Sequence, residues 1–272
     1  MKLKCIIVFL LIFTINPILS AQEKKTGTQK VINNGIDRPK LVIGLVIDQM
    51  RWDYLYRYYN LYADNGFKRL LKNGFSFENT HVPYATAVTA AGHATLYTGS
   101  LPAIHGIIGN DWEERDSSHS IYCTSDQSVS SVGTTSRQGL MSPRNMFTTT
   151  IGDELRLATN FKSRVFGIAF KDRGGILPAG HSANAAYWFD DSTGNWITSS
   201  YYMDQLPAWV NKFNRNRKID SLMSNDWNLL YDVSKYDQST ADANEYEKPF
   251  KHEKQATFPH IYKDQIGRNY YA

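Results

Sequence analysis

The segment Lys40–Asp48 reads KLVIGLVID, a nearly continuous apolar run that ends in a carboxylate. Strands in the middle of a parallel sheet have this composition because helices cover both faces of such a sheet. The segment therefore predicts a central buried strand, and the fold is expected to begin just before it. A second run of this kind, RVFGIAF at Arg164–Phe170, predicts another buried strand.

Helical patterns lie between and around these two apolar runs. Short helices are predicted for Gly66–Asn73 and Thr148–Thr159, and the Ala-rich stretch Thr86–Tyr97 predicts a helix that ends at Gly99. The stretch Tyr187–Tyr202 is typical of a hairpin. Strands that alternate with helices favour an α/β protein with a mainly parallel central sheet flanked by helices.

The N-terminus has the pattern of a secretory signal peptide. Lys2 and Lys4 precede the apolar stretch Cys5–Ile15, which is shorter than the ~20 residues that a spanning helix needs. We predict a signal peptide over residues 1–21, followed by a flexible polar leader over residues 22–37. The protein is therefore expected to be secreted, in a bacterium to the periplasm, and to have no membrane partner after cleavage.

The composition of the remainder is that of a globular protein, with 42% hydrophobic and 21% charged residues. Removal of the two N-terminal lysines lowers the formal net charge of +4 by two, so no basic surface indicates a nucleic-acid partner. Cys123 is then the one cysteine left, which excludes an intramolecular disulfide and a cysteine-based metal site. Residues 38–272 are interpreted as part of one catalytic domain, with the polar stretch 203–272 as a cap or surface insertion.

Three local features carry chemistry. Asp48 ends the first predicted strand, where ligands bind in open α/β sheets, so it is a candidate metal ligand or a cap of the next segment. Thr89 lies at a predicted helix N-terminus, where free backbone N–H groups stabilise negative charge, although an N-cap is the commoner role there. Lys171 and Arg173 follow the second predicted strand and could hold phosphoryl oxygens or form a solvated loop.

Longer stretches that contain these residues, taken in order, resemble one family. They are VIDQMRWDYL with Asp48, PYATAVTAAGHATLYTG with Thr89, HGIIGNDW with Asn110, and FKDRGGI with Lys171 and Arg173. All are similar to the PafA-type periplasmic alkaline phosphatases, which belong to the alkaline phosphatase superfamily together with nucleotide pyrophosphatases and sulfatases. The resemblance implies an alkaline-phosphatase-like α/β sandwich that this chain contains only in part.

The resemblance also implies roles for these residues. Thr89 would be the phosphate-accepting nucleophile and a ligand of one of two zinc ions, and Asp48 would bind the same ion. Asn110, Lys171 and Arg173 would bind the non-bridging phosphoryl oxygens. The diesterases of the superfamily lack the lysine and the arginine, so the pair favours small-molecule phosphate monoesters, which present more anionic oxygen. The implied activity is that of a zinc-dependent phosphoric monoester hydrolase with a phosphothreonine intermediate.

The seven histidines of the chain do not supply the remaining zinc ligands. None has the Asp-His or Asp-x-x-x-His spacing that the family uses further along its chains. We interpret His93 and His181 as structural residues. We expect the complete protein to be about twice as long, and residues 21–272 alone to be inactive.

Other functions stay open at this stage. One is a phosphodiesterase or nucleotide pyrophosphatase of the same superfamily, which Lys171 and Arg173 disfavour. A sulfatase is disfavoured because the Thr89 segment lacks the Cys/Ser-x-Pro/Ala-x-Arg pattern. A third is a secreted binding protein with a degenerate site. The sequence does not specify the physiological substrate or the oligomeric state.

Overall fold

The computed structural model of the protein describes residues 39–250, 253–267 and 270. The predicted signal peptide and leader lie outside the described residues. The chain divides into two compact units, one up to Leu45 and one from Val46 onward. The α-helices of the second unit are α1 (Tyr54–Arg57), α2 (Phe67–Asn73), α3 (Thr89–Thr98), α4 (Pro102–His105), α5 (Ile151–Ala158), α6 (Asp172–Ala179), α7 (Ala208–Arg215) and α8 (Lys218–Met223).

The strands of the second unit form two sheets. They are β1 (Asp111–Glu113), β2 (Ser120–Tyr122), β3 (Ser131–Val132), β4 (Phe166–Ile168), β5 (Ala185–Asp190) and β6 (Asn195–Ser199). Strands β1 and β2 form an antiparallel pair, and the other four form a sheet in the order β3-β6-β5-β4. Short 3₁₀ helices lie at Tyr59–Leu61, Arg137–Gly139, Val233–Lys235 and Lys263–Gln265.

The four-stranded sheet is mixed, so the expectation of a mainly parallel sheet is wrong for the described residues. Only β4 and β5 run parallel, whereas β5–β6 and β3–β6 are antiparallel. The cause is the predicted hairpin, which is confirmed: the short turn between Asp190 and Asn195 reverses the chain, and such a connection forces its two strands to be antiparallel. The α/β class is retained because α6 connects the parallel pair.

The buried strand expected at Lys40–Asp48 is not found. No strand is assigned in this segment, and the side chains of Leu41 and Val42 are 75% and 73% exposed. An apolar run becomes a buried strand only where a paired neighbour covers it. Asp48 lies in a turn, beside Gln49 with a φ of 60°, and does not end a strand.

The strand expected at Arg164–Phe170 is present but shorter and less buried. It is β4, at the edge of the sheet, where only the central Gly167 is buried. Side chains alternate along a strand, so Gly167 points to the face that α6 covers, whereas Phe166 and Ile168 point to the opposite face and are exposed.

The predicted helices near the site are confirmed with shorter bounds. Helix α3 begins at Thr89 and ends at Gly99, whose φ of 65° is the left-handed conformation that glycine adopts most readily. Helix α5 begins after Thr150, whose side chain accepts a hydrogen bond from Asp153 N while the Asp153 carboxylate accepts one from Thr150 N. This reciprocal capping box explains why the helix starts three residues later than the Thr-rich sequence predicts.

The core beside the site joins α3 and α6. Ala90 and Ala94 of α3 and Leu177 of α6 share a buried cluster with three loop residues, namely Ile107 after α4, Cys123 after β2 and Met146 before α5. Helix α6 also lies directly on β4, because a Cβ on Gly167 would be only 2.1 Å from the carbonyl oxygen of Gly175. Helices α3 and α6 pack against each other, and the side chain of His93 reaches the first turn of α6, since a Cβ on Gly174 would be 3.9 Å from His93 Nε2.

The predicted cap, residues 203–272, stays a prediction. Its described residues include α7, α8 and an irregular stretch in which Trp227 and His260 pair through their backbones and His260 Nδ1 lies 2.8 Å from Glu253 Oε2. Within the described parts of the chain, no helix has the length and apolar composition needed to cross a membrane.

Candidate active site

Thr89 and Asp48 are in direct contact. Thr89 is the first residue of α3, and its Oγ1 donates a hydrogen bond to Asp48 Oδ2 at 3.0 Å. The N-cap position belongs to Val88, so the alternative that Thr89 merely caps its helix is wrong. Thr89 is half-buried and Asp48 exposed. A hydroxyl at a helix N-terminus, oriented by a carboxylate, is in the position that a nucleophile of this type requires.

Asn110 caps the same helix. Its Oδ1 accepts a hydrogen bond from the backbone N–H of Ala90 at 3.0 Å, and its backbone carbonyl accepts one from Cys123 N at 2.9 Å. A backbone N–H can only donate, so the amide orientation is fixed with the oxygen on the helix. The two Nδ2 protons are then the groups with which Asn110 can bind an anion.

Of the two histidines singled out in the sequence, His93 contacts the backbone through its ring. His93 Nδ1 lies 2.8 Å from the carbonyl oxygen of Thr89, so Nδ1 carries the proton and donates it. The backbone N–H of His181 donates to Asp153 Oδ2 at 3.1 Å, within the cap of α5. This contact does not involve the His181 ring, so the structural role of His181 stays a prediction.

Lys171 and Arg173 lie at the N-terminus of α6, the helix that adjoins α3. Lys171 is the N-cap residue and Arg173 belongs to the first turn, and both are half-buried. Arg173 Nη1 donates to the phenolic oxygen of Tyr122 at 2.7 Å. The two cations are therefore at the start of the helix that packs against the Thr89 helix.

Asp172 lies between Lys171 and Arg173 in the sequence, and its carboxylate accepts hydrogen bonds from two hydroxyl groups. Its Oδ1 accepts a hydrogen bond from the Tyr122 phenol at 2.7 Å, and its Oδ2 accepts one from Thr124 Oγ1. The sequence analysis did not single out Tyr122 or Thr124. No local pattern marks them, because their importance comes only from contact with residues about fifty positions later.

The surroundings of Tyr122 are buried and charged. Burial raises the pKa of its phenol far above the ordinary value, and the nearby Asp172 carboxylate raises it further. Burial likewise raises the pKa of the Cys123 thiol to about 12. Tyr122 is therefore a neutral phenol even in alkaline solution. Arg173 Nε is also buried and has no hydrogen-bond partner among the described residues.

The structure thus links four of the five predicted site residues through hydrogen bonds. Asp48 and Asn110 both contact the start of α3, at Thr89 and at Ala90 N, and Arg173 donates to Tyr122, the neighbour of the Cys123 whose N–H donates to Asn110. Lys171 is brought to the same helix terminus as Arg173. Among the described residues, no group of three or more His, Cys, Asp or Glu side chains is arranged to hold a metal ion.

Comparison with known proteins identifies relatives for most of the chain. Residues 42–268 match the family model of type I phosphodiesterase / nucleotide pyrophosphatase. Alkaline phosphatase PhoV of Synechococcus elongatus is 53% identical over 92% of this chain and 46% of its own length, and alkaline phosphatase PafA of Elizabethkingia meningoseptica is 52% identical over 90% and 44%. A Myroides odoratus protein named as a calcium-transporting ATPase is 58% identical over 82% of this chain and 41% of its own length.

The fold agrees with these matches. The crystal structure of wild-type alkaline phosphatase PafA superimposes with a TM-score of 0.84 at 50% identity, over 87% of this chain and 46% of that one. The chain spans about half the length of the curated relatives it matches. On the family match and the shared fold together, the chain belongs to the type I phosphodiesterase / nucleotide pyrophosphatase family and is similar, at about 50% identity, to its PafA- and PhoV-type alkaline phosphatases.

Proposed function

We propose that the complete protein is a zinc-dependent alkaline phosphatase that hydrolyses phosphate monoesters through a phosphothreonine intermediate on Thr89. The observation that carries this proposal is the 3.0 Å hydrogen bond from Thr89 Oγ1 to Asp48 Oδ2 at the N-terminus of α3. A threonine hydroxyl is a poor nucleophile until its pKa is lowered and its developing charge is stabilised. Asp48 fixes the position of the hydroxyl, the helix terminus favours negative charge, and a zinc ion held by the two oxygens would lower the pKa of the hydroxyl.

The chemical steps assign one task to each residue. Thr89 Oγ attacks phosphorus in line, its bond to phosphorus forms, the bond to the leaving alkoxide breaks, and the leaving group takes up the proton that Thr89 loses. A water molecule then attacks phosphorus, the bond between phosphorus and Thr89 Oγ breaks, one water proton restores the Thr89 hydroxyl, and inorganic phosphate leaves. Throughout, the Nδ2 protons of Asn110 and the side chains of Lys171 and Arg173 bind the non-bridging oxygens, where transition-state charge is spread.

Two residues of this chain, Asp48 and Thr89, are suited to form part of a zinc site. Asp48 and Thr89 place a carboxylate oxygen and a hydroxyl oxygen 3.0 Å apart, which is an oxygen-donor pair suited to one ion. Zinc, when bound, supplies positive charge that lowers the pKa of a hydroxyl or a water molecule. Two ligands do not complete a coordination shell, so we expect residues 21–272 alone to be inactive.

A variant of PafA supports the choice of residues. In one crystal structure of that protein, which superimposes with a TM-score of 0.82, a threonine is changed to serine and an asparagine, a lysine and an arginine to alanine. The threonine and asparagine have the same spacing along the chain as Thr89 and Asn110, and the lysine and arginine the same spacing as Lys171 and Arg173. This match in residue type and spacing supports the choice of Thr89, Asn110, Lys171 and Arg173 as the proposed site.

Monoesters are the proposed substrates because of charge. Lys171 and Arg173 provide two positive groups at the start of α6, and a monoester dianion benefits from both, whereas a diester carries less charge. The family model also covers diesterases, and one relative bears an ATPase name, so a diester and ATP are the competing substrates to compare.

The test uses the full-length protein loaded with zinc. We expect p-nitrophenyl phosphate to be hydrolysed with a far higher kcat/KM than bis-p-nitrophenyl phosphate or ATP. Acid quenching during turnover, followed by peptide mass spectrometry, should recover phosphate on the peptide that contains Thr89. Faster hydrolysis of the diester would assign the protein to the diesterases. A protein that binds zinc below stoichiometry and turns over none of the three substrates would be the non-catalytic binding protein.

A further inference from the structure

Three side chains outside the predicted site form a chain of hydrogen bonds that ends on Arg173. Thr124 Oγ1 donates to Asp172 Oδ2, the Tyr122 phenol donates to Asp172 Oδ1 at 2.7 Å, and Arg173 Nη1 donates to the same phenolic oxygen at 2.7 Å. Thr124 is fully buried, and Tyr122 packs against the core cluster of Ala90 and Leu177. The network is thus anchored in the interior.

The direction of these bonds follows from the charge of Asp172. A carboxylate only accepts hydrogen bonds, so the single phenolic proton of Tyr122 is committed to Asp172. The lone pairs of the phenol then remain for a donor, and Arg173 Nη1 is that donor. Because burial and Asp172 raise the pKa of the phenol, this arrangement persists in alkaline solution.

The network also keeps the Asp172 carboxylate engaged with hydroxyl groups. Asp172 lies between Lys171 and Arg173 in sequence, and a carboxylate directed at a phosphate dianion would repel it. Both carboxylate oxygens are instead taken by the hydroxyls of Tyr122 and Thr124. The negative charge is therefore used to hold the phenol, and the phenol holds the guanidinium.

We propose that Tyr122 is a positioning residue for the phosphate-binding arginine, Arg173, and that Asp172 and Thr124 fix Tyr122 in this role. This inference rests on the proposed monoesterase function. Engaging Nη1 leaves the rest of the guanidinium for the substrate and limits the rotamers that Arg173 can adopt. A preorganised donor loses less on binding than one that must be ordered by the substrate.

The test is a double-mutant cycle in the full-length zinc enzyme, made of the wild type, Tyr122→Phe, Arg173→Ala and the double variant. We expect Tyr122→Phe to lower kcat/KM for p-nitrophenyl phosphate by about tenfold, since a hydrogen bond to a charged group is lost. In the Arg173→Ala background the same change should have an effect of less than about twofold. Tyr202→Phe, which removes another buried hydroxyl, one without a partner among the described residues, is the matched control.

The outcomes of this cycle distinguish failure of the positioning role from failure of the proposed function. Equal effects of Tyr122→Phe in both backgrounds, or no effect in either, would overturn the positioning role. If Arg173→Ala itself leaves monoester hydrolysis unchanged, the proposed function has failed at Arg173, which is a different result. A general packing defect would also lower activity on the diester, whereas loss of a positioned arginine acts mainly on the dianionic monoester.

A second variant covers the case in which Tyr122→Phe does not fold. Asp172→Asn keeps the size of the side chain but removes a negative charge beside Lys171 and Arg173. Simple electrostatics predicts tighter binding of inorganic phosphate by this variant, whereas the positioning role predicts weaker binding because the phenol loses its ionic acceptor. Tighter phosphate binding together with a higher kcat/KM would contradict the proposal.

Discussion

The backbone N–H of Ala90 donates to Asn110 Oδ1 at 3.0 Å, so the asparagine amide caps the helix that begins with Thr89. The same side chain is proposed to bind a phosphoryl oxygen through its Nδ2 protons. The two ends of the Asn110 amide therefore have different tasks. The oxygen caps the helix, and the NH₂ group is proposed to bind the phosphoryl oxygen.

Substitutions at Asn110 should separate these two tasks. Asn110→Ala removes the acceptor for Ala90 N and is expected to lower the free energy of unfolding by about 1 kcal/mol. Asn110→Asp keeps an acceptor there and should preserve stability, yet lower monoester kcat/KM at least about tenfold because a carboxylate replaces the donor. Urea unfolding and steady-state kinetics measure the two effects. Equal losses of stability in both variants would contradict this division.

Replacing Thr89, the proposed nucleophile, should abolish turnover but leave the binding of phosphate intact. Thr89→Ala is expected to lower kcat for p-nitrophenyl phosphate at least about a thousandfold while inorganic phosphate still binds. Thr89→Ser keeps a hydroxyl and should retain much more activity. The nearby exposed Thr86 offers a control, since Thr86→Ala should leave kcat/KM unchanged. Near wild-type turnover by Thr89→Ala would remove Thr89 from the mechanism.

The two cations should set the preference for monoesters. Lys171→Ala and Arg173→Ala are each expected to lower the ratio of monoester to diester kcat/KM by about tenfold, because the dianion loses a charged partner. Lys162→Ala, at an exposed lysine after α5, is the matched loss of a cation and should not change the ratio. A ratio that stays constant in the Lys171 and Arg173 variants would assign substrate preference to other groups.

One glycine should be irreplaceable for packing. A Cβ on Gly167 would be 2.1 Å from Gly175 O and 2.8 Å from Ala179 Cβ, so Gly167→Ala is expected to destabilise the fold by about 1–3 kcal/mol and to displace α6. The same change at Gly92, in α3, would meet only Ala87 O at 4.0 Å and should stabilise the helix by about 0.5–1 kcal/mol. Thermal unfolding of the two variants gives the change in Tm for each. Changes in Tm of the same sign would refute the packing argument.

The buried thiol should make stability fall at high pH. Burial raises the pKa of Cys123 from 9.0 to about 12, so the folded state holds this proton more tightly than the unfolded chain does. Its contribution to stability is complete below about pH 9 and is lost progressively as the pH rises towards about 12. Urea unfolding measures this effect. Between about pH 8 and pH 10.5, the free energy of unfolding should fall more for the wild type than for Cys123→Ala. Parallel losses in the two proteins would exclude this linkage.

Local sequence signals were enough for three helices, α2, α3 and α5, and for the hairpin, but not for α6. Helix α3 ends at the glycine that its pattern predicts, and the turn after Asp190 returns the chain as expected. These features depend on residues close in sequence, such as caps and turn glycines. The strand assignment at Lys40–Asp48 was wrong because burial depends on which distant elements cover a segment, and composition alone does not contain that information.

The predicted site residues show the same division. Thr89, Asp48 and Asn110, far apart in sequence, meet in the structure, and order along the chain together with family resemblance was enough to select them. Their roles stay predictions. Tyr122 was missed because a lone tyrosine has many ordinary roles, and only the fold brings it to Asp172.

Helices α3 and α6 share a buried cluster in which Ala90 and Ala94 lie on one helix and Leu177 on the other, and a Cβ on Gly174 of α6 would lie 3.9 Å from His93 Nε2 of α3. The distance between the proposed nucleophile and the proposed phosphate-binding cations therefore depends on how these two helices pack. For protein engineering, this means that widening the site between them for a bulkier transferred group would require the helix pair to be repacked. Changes of substrate range are to be sought in the leaving-group side and in the tips of Lys171 and Arg173, with the helix pair left intact.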